Sequence, residues 1–133
     1  MRLLLDTHVW VWTQEEPERL GPRTKRLVLG AEHENGVSPI STLEIAGLVA
    51  GGEIELTISL TEWIARSMAD LAAHTIAVNH EVAMEAYALP GTFHRDPANR
   101  VLVATARQDG LTLVTADDRI LAYPHVRTQD ARR

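Results

Sequence analysis

Four short apolar runs, RLLL at 2–5, VSPI at 37–40, TIAV at 75–78 and LTLVT at 111–115, are separated from one another by stretches with helical spacing. A short run that is apolar at consecutive positions reads as a strand buried on both faces, and strands alternating with helices join in parallel through crossovers. The expected fold is therefore α/β, with three layers and a short central parallel sheet between helices. Helices are expected over 8–13, across TKRLVLGAE, over 41–49, after Ser59, over 80–88 and 97–108, and briefly over 117–121; a last strand is expected near 125–127. The length, 133 residues, suits one domain spanning 1–133.

In open parallel sheets the ligand site lies beyond the carboxyl ends of the strands. Asp6 follows the first run directly, and Asp117 stands two residues after LTLVT. Glu44 lies four residues beyond Ile40, in the expected first turn of a helix, and Asp96 starts the helix that feeds LTLVT. Four carboxylates at one sheet edge repel unless protons or cations neutralise them. Magnesium or manganese, hard ions that take oxygen ligands, suit such a set. Each acid also has a local role available. Ser41-x-x-Glu44 has the form of a capping box, Asp96-Pro97 that of a helix start, and Asp117 suits a helix N-terminus. Taken singly, Glu44 and Asp96 read better as caps than as ligands. Asp6 has no such local explanation, and the meeting of all four at one edge tips the reading to a metal site.

Composition narrows the alternatives. Without cysteine there is neither a disulfide framework nor a thiolate site. The net charge of −5 argues against a broad basic nucleic-acid surface, but not against an enzyme whose acids hold metal. The six histidines show no H-x-x-x-H spacing and read as surface or packing residues, while Trp10, Trp12 and Trp63 read as core or interface. Arg95, Arg100, Arg107 and Arg119 lie close in sequence to the acids; Arg95 and Arg100 are the candidates for holding a substrate phosphate backbone. No signal-peptide pattern or membrane-length apolar run occurs, so a cytoplasmic protein is expected.

With these residues in hand, the chain resembles the PIN-domain ribonucleases, and within them the VapC-like toxins of toxin–antitoxin pairs. LLLDTHVWVW is similar to the family's opening motif with Asp6 as its first acid, and VSPISTLEIA to the segment carrying Glu44. HRDPANRVLVATAR matches a subgroup pattern H-R-D-P-x-D-R, and LTLVTADDRI the closing segment with Asp117. The ordered motifs span nearly the whole chain. The resemblance implies a Mg²⁺-dependent endoribonuclease, with Mn²⁺ as substitute, that forms a homodimer and is neutralised by a cognate VapB-like antitoxin. It also implies that Asp6, Glu44, Asp96 and Asp117 are catalytic and metal-binding. One departure stands out: Asn99 replaces the second acid of D-P-x-D-R, so this position offers a neutral amide oxygen to the cation. Asn99 also leaves room for a second reading, a catalytically weak PIN-like module acting by binding RNA or protein.

Overall fold

The structure is a computed structural model that describes all 133 residues. Its centre is β1 (Arg2–Leu5), whose three leucines are buried on alternate faces. Leu3 and Leu5 enter one core with Val9 and Trp10 of α1 (Thr7–Glu15), Leu27 and Val28 of α2 (Pro22–Leu29) and Trp63 of α4 (Leu60–Asp70). Leu4 enters the other, with Leu102, Val103 and Ala106 of α6 (Pro97–Asp109) and Ile120 of α7 (Asp118–Leu121). Apolar side chains at three consecutive positions are what two covered faces require. The remaining strands are β2 (Glu34–Val37), β3 (His74–Thr75), β4 (Thr112–Thr115) and β5 (Thr128–Asp130). They complete a sheet of order β3-β2-β1-β4-β5, parallel throughout. The α/β expectation holds. Helix α3 (Pro39–Ala50) follows β2, and α5 (His80–Glu85) packs on α6 through Val82, Ala86 and Ala104. No helix is long and apolar enough to cross a membrane.

Several boundaries differ from expectation. The second strand is 34–37 rather than 37–40, because Ser38 caps α3 by accepting the Ile40 amide (3.1 Å) and Pro39 takes the first helical position. The expected capping box at Ser41 therefore does not form. Ser41 is inside the helix, and Glu44 sits in its second turn. The third strand pairs over His74–Thr75 only, with the Ile76 amide still donating to Val37 O (2.8 Å), and the last strand lies at 128–130 rather than 125–127.

Candidate metal centre

The chain leaves β1 towards β2 on one side and reaches β4 on the other, so the switch point of the sheet lies between β1 and β4. A cleft of about 630 Å³ opens there, and Asp6, Glu44, Asp96, Asn99 and Asp117 all line it. Carboxylates dominate its wall, with Arg19 and Arg119 as its arginines.

Each acid is fixed by its element. Asp6 ends β1 and caps α1: Oδ1 accepts the Thr7 amide (2.7 Å), and Oδ2 accepts the Thr115 hydroxyl (2.6 Å). The Thr7 hydroxyl donates to Glu44 Oε1 (2.5 Å) and lies 2.9 Å from Ser41 Oγ, tying α1 to α3. Asp96 caps α6, its Oδ1 accepting the amides of Ala98 (3.0 Å) and Asn99 (3.3 Å) while Oδ2 carries no hydrogen bond within the protein. Asp117 caps α7 and takes donors from Arg119 and Asn99. Caps and cleft residues are the same residues here. A carboxylate that holds an amide with one oxygen can still present the other.

Asn99 is buried and turns its amide nitrogen to Asp117 Oδ2 (3.1 Å) and to His94 Nε2 (3.2 Å). Oδ1 of the amide carries no hydrogen bond within the protein, so its lone pairs are free. Burial pushes the His94 imidazole below its ordinary pKa, helped by the positive charges of Arg119 and Arg100 against Asp117 and Asp96. The Asp96 amide faces the other ring nitrogen, Nδ1, at 3.4 Å, and a neutral imidazole accepts at only one of the two. The remaining sequence expectations divide. Arg95 is exposed directly before the Asp96 cap of α6 and does not line the cleft. Arg100 turns inward, donating to Ala86 O (3.0 Å) and Phe93 O (2.8 Å), and does not line the cleft. Trp10 and Trp63 are core, their rings 5.3 Å apart, whereas Trp12 lines the cleft beneath Arg19 (4.3 Å). Arg119, Thr7, Thr115 and His8 belong to the site without having been singled out for it. His8 accepts the Ala116 amide at Nε2 (3.1 Å), so a neutral ring carries its proton on Nδ1, 3.7 Å from Asp6 Oδ2. Its place two residues after Asp6 was the available signal.

The electrostatics are those of crowded acids. Burial lifts the Glu44 carboxyl above its ordinary pKa; the Thr7 hydrogen bond opposes this, and the charges of Asp6 and Asp96 add to it. For Asp117, burial works upward but is outweighed by the side-chain and backbone hydrogen bonds of Arg119, its charge and the Asn99 amide, which lower the pKa to about 2. No three His, Asp or Glu side chains are drawn together tightly enough to grip an ion as they stand. A raised pKa in the folded state means that ionised Glu44 works against folding; that penalty is full at neutral pH and vanishes as the pH falls below the unfolded value. Glu44→Gln keeps the acceptor for Thr7 and removes the charge. Its metal-free Tm at neutral pH should rise by a few degrees, the size of about 1 kcal/mol in a chain this long, as read by thermal melts at neutral pH and near pH 4. At the lower pH the gain should shrink.

Residues 3–126 match the family described as PIN domain. The chain is 38% identical over 127 residues to a protein of Mycobacterium tuberculosis named Ribonuclease VapC22, covering 94% of each. Its fold superposes on a chain of VapBC2 from Rickettsia felis, solved bound to a DNA fragment from their promoter, with a TM-score of 0.69 at 14% identity over 97% of this chain and 98% of that one. It also superposes on a chain of DNA-bound VapBC from Salmonella typhimurium, with a TM-score of 0.66 at 22% identity over 98% of both.

Proposed function

The chain belongs to the PIN-domain family, and on that premise we propose that its acidic cleft holds a divalent cation and hydrolyses RNA phosphodiester bonds. It is an endoribonuclease and the toxin of a toxin–antitoxin pair, with a VapB-like antitoxin as its protein partner. The 38% identity to a protein named a ribonuclease supports the activity, and likeness to chains solved as VapBC complexes supports the pairing. The reading includes a cytoplasmic location and a homodimer. Leu43, Met84 and Tyr87 are the large apolar side chains left most exposed, which is consistent with a partner surface.

One observation carries the metal reading: Asp6, Glu44, Asp96 and Asp117 share one cleft with the Asn99 amide, at the switch point of the sheet. An RNA phosphate is repelled from such a wall until its charge is offset. The donors are all hard oxygens, and Asp96 Oδ2 and Asn99 Oδ1 stand free of protein hydrogen bonds, so the set fits Mg²⁺ or Mn²⁺. Bound there, the cation would lower the pKa of water and offset charge on the phosphate oxygens. The protein does the positioning. Thr7 and Thr115 lock Asp6, Thr7 also orients Glu44, and the helix caps fix Asp96 and Asp117. Exposed Arg95 is the proposed contact to the RNA backbone, a sequence-independent one.

Asn99 favours the weaker alternative, a module that binds RNA or protein without efficient cleavage. One experiment separates the two. Purified protein should cut single-stranded RNA in Mg²⁺ or Mn²⁺ and stop in chelator, and the ion should raise the Tm through about 2.7 kcal/mol when it is a hundredfold above its Kd. RNA bound but uncut in both ions would support the alternative, and a flat melt across millimolar metal would remove the metal site.

A further inference from the structure

The cleft carboxylates differ in how much room they leave a cation, and Asp117 leaves least. An ionised carboxylate offers about four acceptor positions. Asp117 Oδ1 accepts the Arg119 amide (2.9 Å) and Nε (3.3 Å), while Oδ2 accepts Arg119 Nη2 (3.0 Å) and Asn99 Nδ2 (3.1 Å). All four are taken. Asp6 accepts one donor on each oxygen, and Asp96 and Glu44 accept on one oxygen only. A divalent ion can therefore reach an Asp117 oxygen only after one of its donors leaves. The Arg119 amide is fixed at the start of α7, and Asn99 is 7% exposed and held by His94. The Arg119 side chain is 60% exposed, and Asp117 is its sole ion-pair partner.

We propose that Arg119 is the internal counter-cation of this cleft: it closes over Asp117 while no metal is bound, is released when a divalent ion takes that carboxylate, and then grips a phosphate oxygen of the RNA. This rests on the metal reading above. The guanidinium lines the same cleft, and its planar fork matches phosphate as well as carboxylate. Release on metal binding delivers a phosphate-binding group at the moment the site is loaded. Metal and RNA should then tighten each other's binding, reciprocally.

The test compares the 133-residue chain with R119Q and R119K. Calorimetric titration should show R119Q binding Mn²⁺ about 1.5- to 5-fold more tightly, the modest factor that an exposed ion pair carries. Fluorescence anisotropy in Mn²⁺, with a short labelled phosphorothioate RNA as probe, should show R119Q binding about tenfold more weakly, the size of one charge-assisted hydrogen bond. The slope of log affinity against log salt should fall by about 0.7, the value for one single-strand phosphate contact. R119K, which keeps the charge and loses the fork, should lie between. A merely structural Arg119 would make metal and RNA binding fall together and leave the salt slope alone. Mn²⁺ affinity in R119Q equal to or below that of the unsubstituted chain overturns the proposal, as does unchanged RNA binding. If the unsubstituted chain itself gives no Mn²⁺ heat, the metal reading fails and the proposal with it; if it binds and R119Q is no tighter, only the counter-cation role fails.

Discussion

Asp6→Asn lowers RNA cleavage by at least about a hundredfold, the loss typical of removing a group aimed at transition-state charge, and leaves the protein folded. Asp6 is 2% exposed, and both oxygens are engaged, with the Thr7 amide and the Thr115 hydroxyl. Asparagine has the same shape and still caps α1 through its oxygen. The new amide meets Thr115 Oγ1, a hydroxyl that can reverse its role and accept. What is lost is the negative charge just past the end of the central strand, beside the switch point. Asp6→Ala is the contrast, because it also removes the cap and should cost about 1 kcal/mol of stability. Initial rates on RNA in Mn²⁺, read beside urea midpoints, check both halves. Cleavage by Asp6→Asn near the normal rate would remove Asp6 from the chemistry.

Asn99→Asp should tighten Mn²⁺ binding by up to about thirtyfold, because a unit charge about 4 Å from a divalent ion is worth roughly 2 kcal/mol even at the dielectric of water. The same change sets a second carboxylate against Asp117 Oδ2, where the amide now donates at 3.1 Å. The metal-free protein should therefore lose about 1–3 kcal/mol, the cost of replacing a donor by a repelling acceptor. Asp96→Asn should move metal affinity the other way by a similar factor, with little effect on the fold. Its asparagine still caps α6, but the turn then carries no carboxylate. Calorimetry with Mn²⁺ and initial rates across a manganese titration distinguish the outcomes. If Asn99→Asp and Asp96→Asn both leave affinity and rate unchanged, Asp96 is a helix cap alone.

The features legible in the sequence were those that act locally. RLLL and LTLVT announced β1 and β4 because both faces of each are covered, and Asp96-Pro97 announced the start of α6. β2 was displaced for a physical reason. Its Glu34-Asn35-Gly36 reads as a turn, yet Asn35 is buried and its side chain donates to Val28 O and Leu71 O. Gly36 is required by packing, since a Cβ there would stand 2.7 Å from Ile76 Cγ1. Both causes are tertiary. The acids of the site were legible because strand ends point to them. Which of them touch was not: Thr115 and Asp6 are 109 residues apart in the chain, and the Asn99–Asp117 contact joins two helix starts. Arg100 shows the opposite failure. Nothing local distinguishes an arginine that reaches RNA from one that pins the connection between α5 and α6 by two of its carbonyls.

Anomalous diffraction from crystals grown with Mn²⁺ tests the metal site most directly. The account predicts one or more peaks in the cleft, within coordination reach of Asp6 and Asp96, absent from Asp6→Asn crystals grown in the same way. No peak at millimolar Mn²⁺, or a peak only outside this cleft, would contradict it.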